Sequence, residues 1–103
     1  MWGQALVRPS DNLSDALKLL SDALQILSLR MSAIDPIRAR IAGAAMRAAD
    51  YAVDPAKDHV NLAADDVCRL AVRVSNADAH DPLECGAVAT AIELNLRLLP
   101  SHV

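Results

Sequence analysis

The sequence contains no phenylalanine, one tryptophan, one tyrosine and only three glycines among its 103 residues. Aromatic side chains bury the largest areas, so without them the chain cannot build a thick aromatic core. The glycines lie far apart, at Gly3, Gly43 and Gly86, and form no glycine-rich loop that could hold a phosphate. The composition therefore predicts thin, close contacts between elements and no phosphate-binding loop.

Cysteine and positive charge are also scarce. Two cysteines, Cys68 and Cys85, are too few for a disulfide framework, so we expect free thiols in a cytoplasmic protein. The net charge of −3 argues against phosphate-driven binding of nucleic acid. No uncharged apolar run approaches the roughly 18 residues of a membrane span, so we predict no membrane partner.

Residues that could carry out metal or nucleophilic chemistry are present but poorly spaced. Asp58, His59 and Cys68 could in principle meet His80 and Cys85, yet their spacing matches no standard zinc pattern. The serines fall on predicted helix surfaces and not at the sharp turns that expose a nucleophile. We therefore predict no metal, no cofactor and no catalytic residue.

The chain is rich instead in small apolar residues with helical periodicity. Hydrophobic residues make up 53% of the sequence, and 20 are alanine and 15 leucine. In the first segment they recur at alternating steps of four and three, which is typical of a helix that keeps one face on a partner. This apolar series is Leu13, Leu17, Leu20, Leu24, Leu27, Met31 and Ile34.

The dipeptide Asp-Pro occurs three times, and we interpret each occurrence as a helix start. Aspartate caps the free N–H groups of a first turn, and proline suits the first helical position. With Asp35, Asp54 and Asp81 as caps, we predict one all-α domain over residues 1–103 with a loose tail over 1–9. The predicted fold is a four-helix bundle or an angled helical array, with almost no loop between the first three helices. The predicted helices cover residues 11–34, 36–53, 55–76 and 82–99.

Two of these helices carry more apolar surface than a single core contact needs. The fourth is apolar nearly all round, which is typical of a central helix or of a helix at an interface. The second has a glycine in its interior, which costs about 1 kcal/mol relative to alanine and suits a close approach by another backbone. Its back face lacks the polar residues expected of a solvent-facing helix, so we predict an interface there. The candidate interface residues are Ala39, Arg40, Ala42, Gly43, Met46, Arg47 and Ala49.

From these features we interpret the chain as a non-catalytic protein–protein interaction module. We expect a homodimer that binds another protein and sequesters or inhibits it through helix faces. Two alternatives stay open: a helical domain with a small-ligand pocket, and, with less support, a DNA-binding regulator. The DNA-binding alternative rests on Arg38, Arg40, Arg47, Arg69 and Arg73, which form no basic stripe and have no aromatic platform beside them.

Overall fold

The computed structural model describes residues 9–58 and 60–97, with side-chain environments from Asn12 onward. This part of the chain contains four helices and no strand, which confirms the predicted all-α fold. Apart from Pro9, the predicted tail over 1–9 lies outside the described residues. The helices are α1 (Pro9–Arg30), α2 (Pro36–Val53), α3 (Ala64–Ser75) and α4 (Pro82–Leu96).

The apolar series of α1 supplies most of the large core side chains. Its leucines and Met31 are buried, as the spacing predicts. The helix ends at Arg30, however, and the last predicted member of the series, Ile34, is almost fully exposed. The reason is the turn over residues 31–35, in which the N–H of Asp35 donates to the carbonyl of Ser32 at 3.1 Å. This turn reverses the chain so that α2 can return along α1.

Helices α1 and α2 pack antiparallel through small side chains and backbone. Each step of seven residues along α1 corresponds to a step of seven residues back along α2, so the register stays constant. Because serine is short, its hydroxyl reaches a carbonyl only where two helix backbones lie close together. Three hydrogen bonds set this register: Ser14 Oγ to Ala52 O, Ser21 Oγ to Ala45 O at 2.7 Å, and Arg38 Nε to Ser28 O at 2.8 Å.

The four described helices contact one another in a ring, in the order α1, α2, α4, α3. Helix α1 contacts α2 and α3, and α4 contacts α2 and, less extensively, α3. The diagonal pairs, α1 with α4 and α2 with α3, are not neighbours. The connection from α2 to α3 therefore has to cross the diagonal of the bundle.

This diagonal crossing explains why the third predicted helix is wrong over residues 55–63. The carboxylate of Asp54 accepts a hydrogen bond from the backbone N–H of Lys57 at 3.2 Å, which closes a turn and does not begin a long helix. Pro55 is buried, residues 55–58 form a turn, and residues 60–63 have no regular structure before α3 begins at Ala64. Within the shorter observed helix, Val67 and Val74 are buried in the core.

Helix α4 begins where the sequence predicts and occupies one position in the ring. The carboxylate of Asp81 accepts hydrogen bonds from the backbone N–H groups of Leu83 and Glu84, as an N-cap does. The helix ends at Leu96 with Arg97 as its C-cap in the left-handed region, and residues 98 and 99 of the predicted extension lie outside the described part. Among the described helices α4 contacts α2 and, less extensively, α3, so it is not the central helix of the bundle. The alternative that α4 lies at an interface stays a prediction.

Candidate protein-interaction surface

The seven residues predicted as an interface lie together on the outer side of α2. They are opposite the core-facing positions of the same helix, where Ile41, Ala44 and Ala48 are buried. Ala42 is half-buried, the other six are exposed, and Met46 keeps 69% of its surface accessible. We call this set the α2 surface: Ala39, Arg40, Ala42, Gly43, Met46, Arg47 and Ala49.

Gly43 lies in the middle of the α2 surface with open space beside it. A Cβ atom built at this position would meet nothing within 4 Å. No close approach within the described chain therefore requires glycine here, although glycine weakens a helix by about 1 kcal/mol relative to alanine. No described residue of this chain makes the close approach to Gly43 that the sequence predicts, so an approach by a second polypeptide stays a prediction.

Arg40 lies at the edge of the α2 surface and is held by α4. Its guanidinium forms an ion pair with Glu93, with Nε at 3.1 Å from Oε2, and its Nη2 lies 3.4 Å from the hydroxyl of Thr90. The hydrogen bonds that Arg40 donates to the Glu93 carboxylate raise the pKa of Arg40, although desolvation opposes this shift. Sequence reasoning placed Arg40 in the interface, and the structure shows that it also joins α2 to α4.

A second set of exposed apolar residues lies on α4, on the side of the helix that also carries Thr90, whose hydroxyl is 3.4 Å from Arg40 Nη2. Leu83 is 86% exposed, Leu94 is 64% exposed, and the exposed Ala87 lies between them on the same side of the helix. We call these three residues the α4 stripe. The sequence indicated only that α4 is apolar nearly all round. The packing of α4 against α2 and α3 shows which side of the helix stays exposed.

The α2 surface continues onto α1 through a shallow groove of about 300 Å³. Its apolar walls are Leu29 and Ala33 on the α1 side and Ala39 and Ala42 on the α2 side. Leu29 is an exposed large side chain, and sequence reasoning did not include it in the interface. Its place beside α2 depends on the register between the two helices, which the residue pattern of either helix alone does not give.

The thiol groups of the described residues lie apart from these surfaces. Cys85 is buried, and its Sγ donates a hydrogen bond to the carbonyl of Asp78 at 3.3 Å. Burial raises the pKa of Cys85, and the negative charge of Asp35 and other acidic neighbours acts in the same direction. A thiol in this environment is a poor nucleophile at neutral pH, because little thiolate forms.

Within the described residues, no three histidine, cysteine or acidic side chains come together as metal ligands could. None of the four described helices combines the length and apolar character needed to cross a membrane. A cavity of about 350 Å³ with several polar side chains in its lining lies where the ends of α2 and α4 meet the connection between α2 and α3. Its polar lining includes Tyr51, Asp58, Asn61, Asn95 and Arg97.

The fold and its exposed surfaces define a small all-α bundle with uncovered apolar surface on two adjacent helices. No protein-family model, no curated protein and no solved structure matches this chain. The geometry of the α2 surface and the α4 stripe is therefore the basis on which a function is proposed.

Proposed function

We propose that the chain is a non-catalytic protein–protein interaction module of the cytoplasm that forms homodimers and binds another protein to sequester or inhibit it. The observation that carries the proposal is the uncovered apolar surface on both α2 and α4. Monomeric proteins seldom expose large contiguous apolar patches, and such patches commonly mark protein interaction sites. Met46, Leu83 and Leu94 project from rigid helices and can act as anchors in a partner.

The arrangement suits recognition of an amphipathic helix of another protein. The α2 surface and the α4 stripe lie on neighbouring helices, separated by the ion pair between Arg40 and Glu93. A partner helix that lies along the α4 stripe can contact Leu83 and Leu94 with its apolar side and the Arg40–Glu93 bridge with its polar edge. Helix-in-groove binding of this kind uses apolar anchors separated by helical spacing.

The test is partner capture from cells that produce the protein, compared between wild type and surface variants. Glutamate at both Leu83 and Leu94 should remove a stoichiometric partner, because it places two charges where apolar anchors dock. Glutamate at both Ala42 and Met46 tests the α2 surface in the same way. Val72→Glu is the matched control, since Val72 is an exposed valine on α3, outside both surfaces.

Helicity and melting temperature should stay close to those of the wild type in all variants, because every altered side chain lies outside the buried core. Captured proteins quantified by mass spectrometry then report on binding alone. If the same proteins are recovered with both double variants as with the wild type, the proposal is wrong. If no protein reaches stoichiometric recovery with the wild type, the sequestering role is wrong as well.

A small-ligand-binding domain is the second candidate, and one cavity favours it. The cavity bounded by Tyr51, Asn61 and Arg97 has a volume of about 350 Å³, within the range of small-molecule sites. A thermal-shift screen tests it, since a ligand at 100 times its dissociation constant stabilises the folded chain by about 2.7 kcal/mol. Loss of the shift in Arg97→Ala would locate the ligand in this cavity.

DNA binding has the least support among the three candidates. Arg38 bonds to a carbonyl of α1, Arg40 pairs with Glu93, and Arg69 pairs with Asp66 at 3.2 Å. The two remaining arginines of the set lie on different helices, Arg47 on α2 and Arg73 on α3. If the chain contacted DNA phosphates, its affinity for duplex DNA would fall steeply as the salt concentration rises. An affinity that does not change with salt concentration argues against this role.

A further inference from the structure

The outer side of α2 carries a second apolar series with the spacing of a coiled-coil contact. Its members follow one another at alternating steps of three and four, as the a and d positions of a heptad do. We call them the outer seam: Ala39, Ala42, Met46, Ala49 and Val53. Met46 and Val53 are large and exposed, with Val53 at 85%, so this series is not part of the core that α2 forms with α1 and α4.

We propose that the outer seam of α2 binds the outer seam of a second copy of this chain, with the two α2 helices antiparallel. This proposal rests on the proposed role of the α2 surface in binding proteins. It specifies that the protein bound there is a second copy of this chain. In an antiparallel helix pair, an a position of one helix faces a d position of the other. One register places Met46 against Ala49 of the second copy and Val53 against Ala42 of the second copy.

This register matches large side chains with small ones at every step. Each two-fold related contact joins Met46 or Val53 to an alanine, so the two helices can approach closely without a clash. At one end, Val53 of the second copy meets the shallow groove of about 300 Å³ that Leu29, Ala39 and Ala42 line. The groove is thus filled by a side chain that the described monomer leaves in solvent.

Charge complementarity favours a second copy over an unrelated helix. Arg47 and Asp50 lie on the same flank of the outer seam, and both are exposed. Two-fold symmetry brings Arg47 of one copy beside Asp50 of the other, and the same pair forms again across the axis. Parallel pairing would instead place this flank of the two copies on opposite sides of the contact, where Arg47 cannot reach Asp50 of the other copy, so the charges favour the antiparallel arrangement. Gly43, on the same flank, leaves room for the facing backbone.

The size of the contact predicts a concentration-dependent dimer. Helix α2 has 18 residues and is about 27 Å long. One pair of such helices, even with Leu29 added from α1, buries less than the roughly 1,600 Å² of a standard interface. We therefore expect monomer and dimer to exchange, and we expect the α4 stripe to stay free for another protein.

Sedimentation velocity of the full chain tests the proposal, at concentrations up to about 1 mM so that even a weak dimer is populated. Met46→Glu should abolish the dimer, because the two-fold axis brings two copies of the new charge into an apolar contact. Val72→Glu and Leu94→Glu introduce the same charge at exposed apolar positions on α3 and α4. Both of these controls should leave the monomer–dimer equilibrium unchanged.

Charge reversal tests the register. Arg47→Asp or Asp50→Arg alone turns both ion pairs into repulsions and should weaken the dimer about tenfold. The double variant R47D/D50R restores opposite charges and should recover the wild-type dissociation constant. Circular dichroism of each variant confirms that helicity is unchanged.

The proposal is overturned if the chain stays monomeric at about 1 mM, or if it dimerises and Met46→Glu has no effect. It is also overturned if the double charge reversal fails to restore a dimer that the single reversals weaken. The two parts of the proposed function are distinguished in this way: a monomer that still captures another protein through the α2 surface keeps the binding of another protein and loses the homodimer.

Discussion

Replacing Ala45 by leucine perturbs the closest contact between α1 and α2. Ala45 is 2% exposed, and its carbonyl accepts the hydroxyl of Ser21 at 2.7 Å. Three added carbons have no space there, and overpacking of this kind costs about 1–3 kcal/mol. Separating the helices also removes the Ser21 hydrogen bond, worth about 1 kcal/mol. We therefore expect the free energy of unfolding to fall by about 2–4 kcal/mol.

Urea and thermal unfolding at micromolar concentration measure this change on the monomer. For a domain of this size, the expected loss lowers the melting temperature by roughly 10–30 °C. Ala87→Leu on α4 is the matched control, because Ala87 is exposed and leucine is nearly as good a helix former as alanine. The close-packed account of the α1–α2 pair is refuted if Ala45→Leu stays within about 0.5 kcal/mol of the wild type.

Three further changes have expected outcomes that follow from single contacts. Gly43→Ala should stabilise the chain by about 0.5–1 kcal/mol in urea unfolding, because the added Cβ meets open space; a loss of stability would show that the space is occupied. Asp81→Ala should destabilise the chain by about 1 kcal/mol in the same assay, since it removes the cap of α4, and no change would mean that the cap is dispensable. Burial raises the pKa of Cys85, so the unfolded chain ionises first and stability should decline as pH rises above the ordinary thiol value of 9.0. Cys85→Ala should remove that component of the decline, and an unchanged profile would assign it to another group.

Local sequence signals were sufficient for the parts of the fold that depend on one helix at a time. The five leucines of the apolar series on α1 are buried where the spacing predicts. Asp35 and Asp81 cap helices as their Asp-Pro dipeptides predict. The hydrogen bonds that form and cap a helix join residues within about one turn of each other. The local amino-acid pattern is therefore sufficient to predict where these helices begin and which face is apolar.

The connection over residues 54–63 could not be predicted in this way. Asp54-Pro55 resembles the two capping dipeptides, and its aspartate makes the same kind of local bond to a backbone N–H. The difference lies in the position of the next helix, because α3 packs against α1 and is not a neighbour of α2. That placement depends on packing between distant segments, which overrides the local start signal.

The candidate surface shows the same division between local and distant information. The exposed position of Met46 and Gly43 followed from the helical periodicity of α2. The bond from Arg40 to Glu93 and the contribution of Leu29 required the relative placement of two helices. The α4 stripe required knowing how α4 packs against α2 and α3, which its nearly uniform apolar sequence does not reveal.

The central claim is that the exposed apolar surface on α2 contacts another polypeptide, and site-specific photo-crosslinking tests it most directly. A photoreactive phenylalanine derivative replaces Met46, and in a parallel sample it replaces Val72 on α3. The account predicts a covalent adduct with a polypeptide, either a second copy or another protein, from position 46 in cells and none from position 72. No adduct from position 46, or equal adducts from both positions, would contradict it.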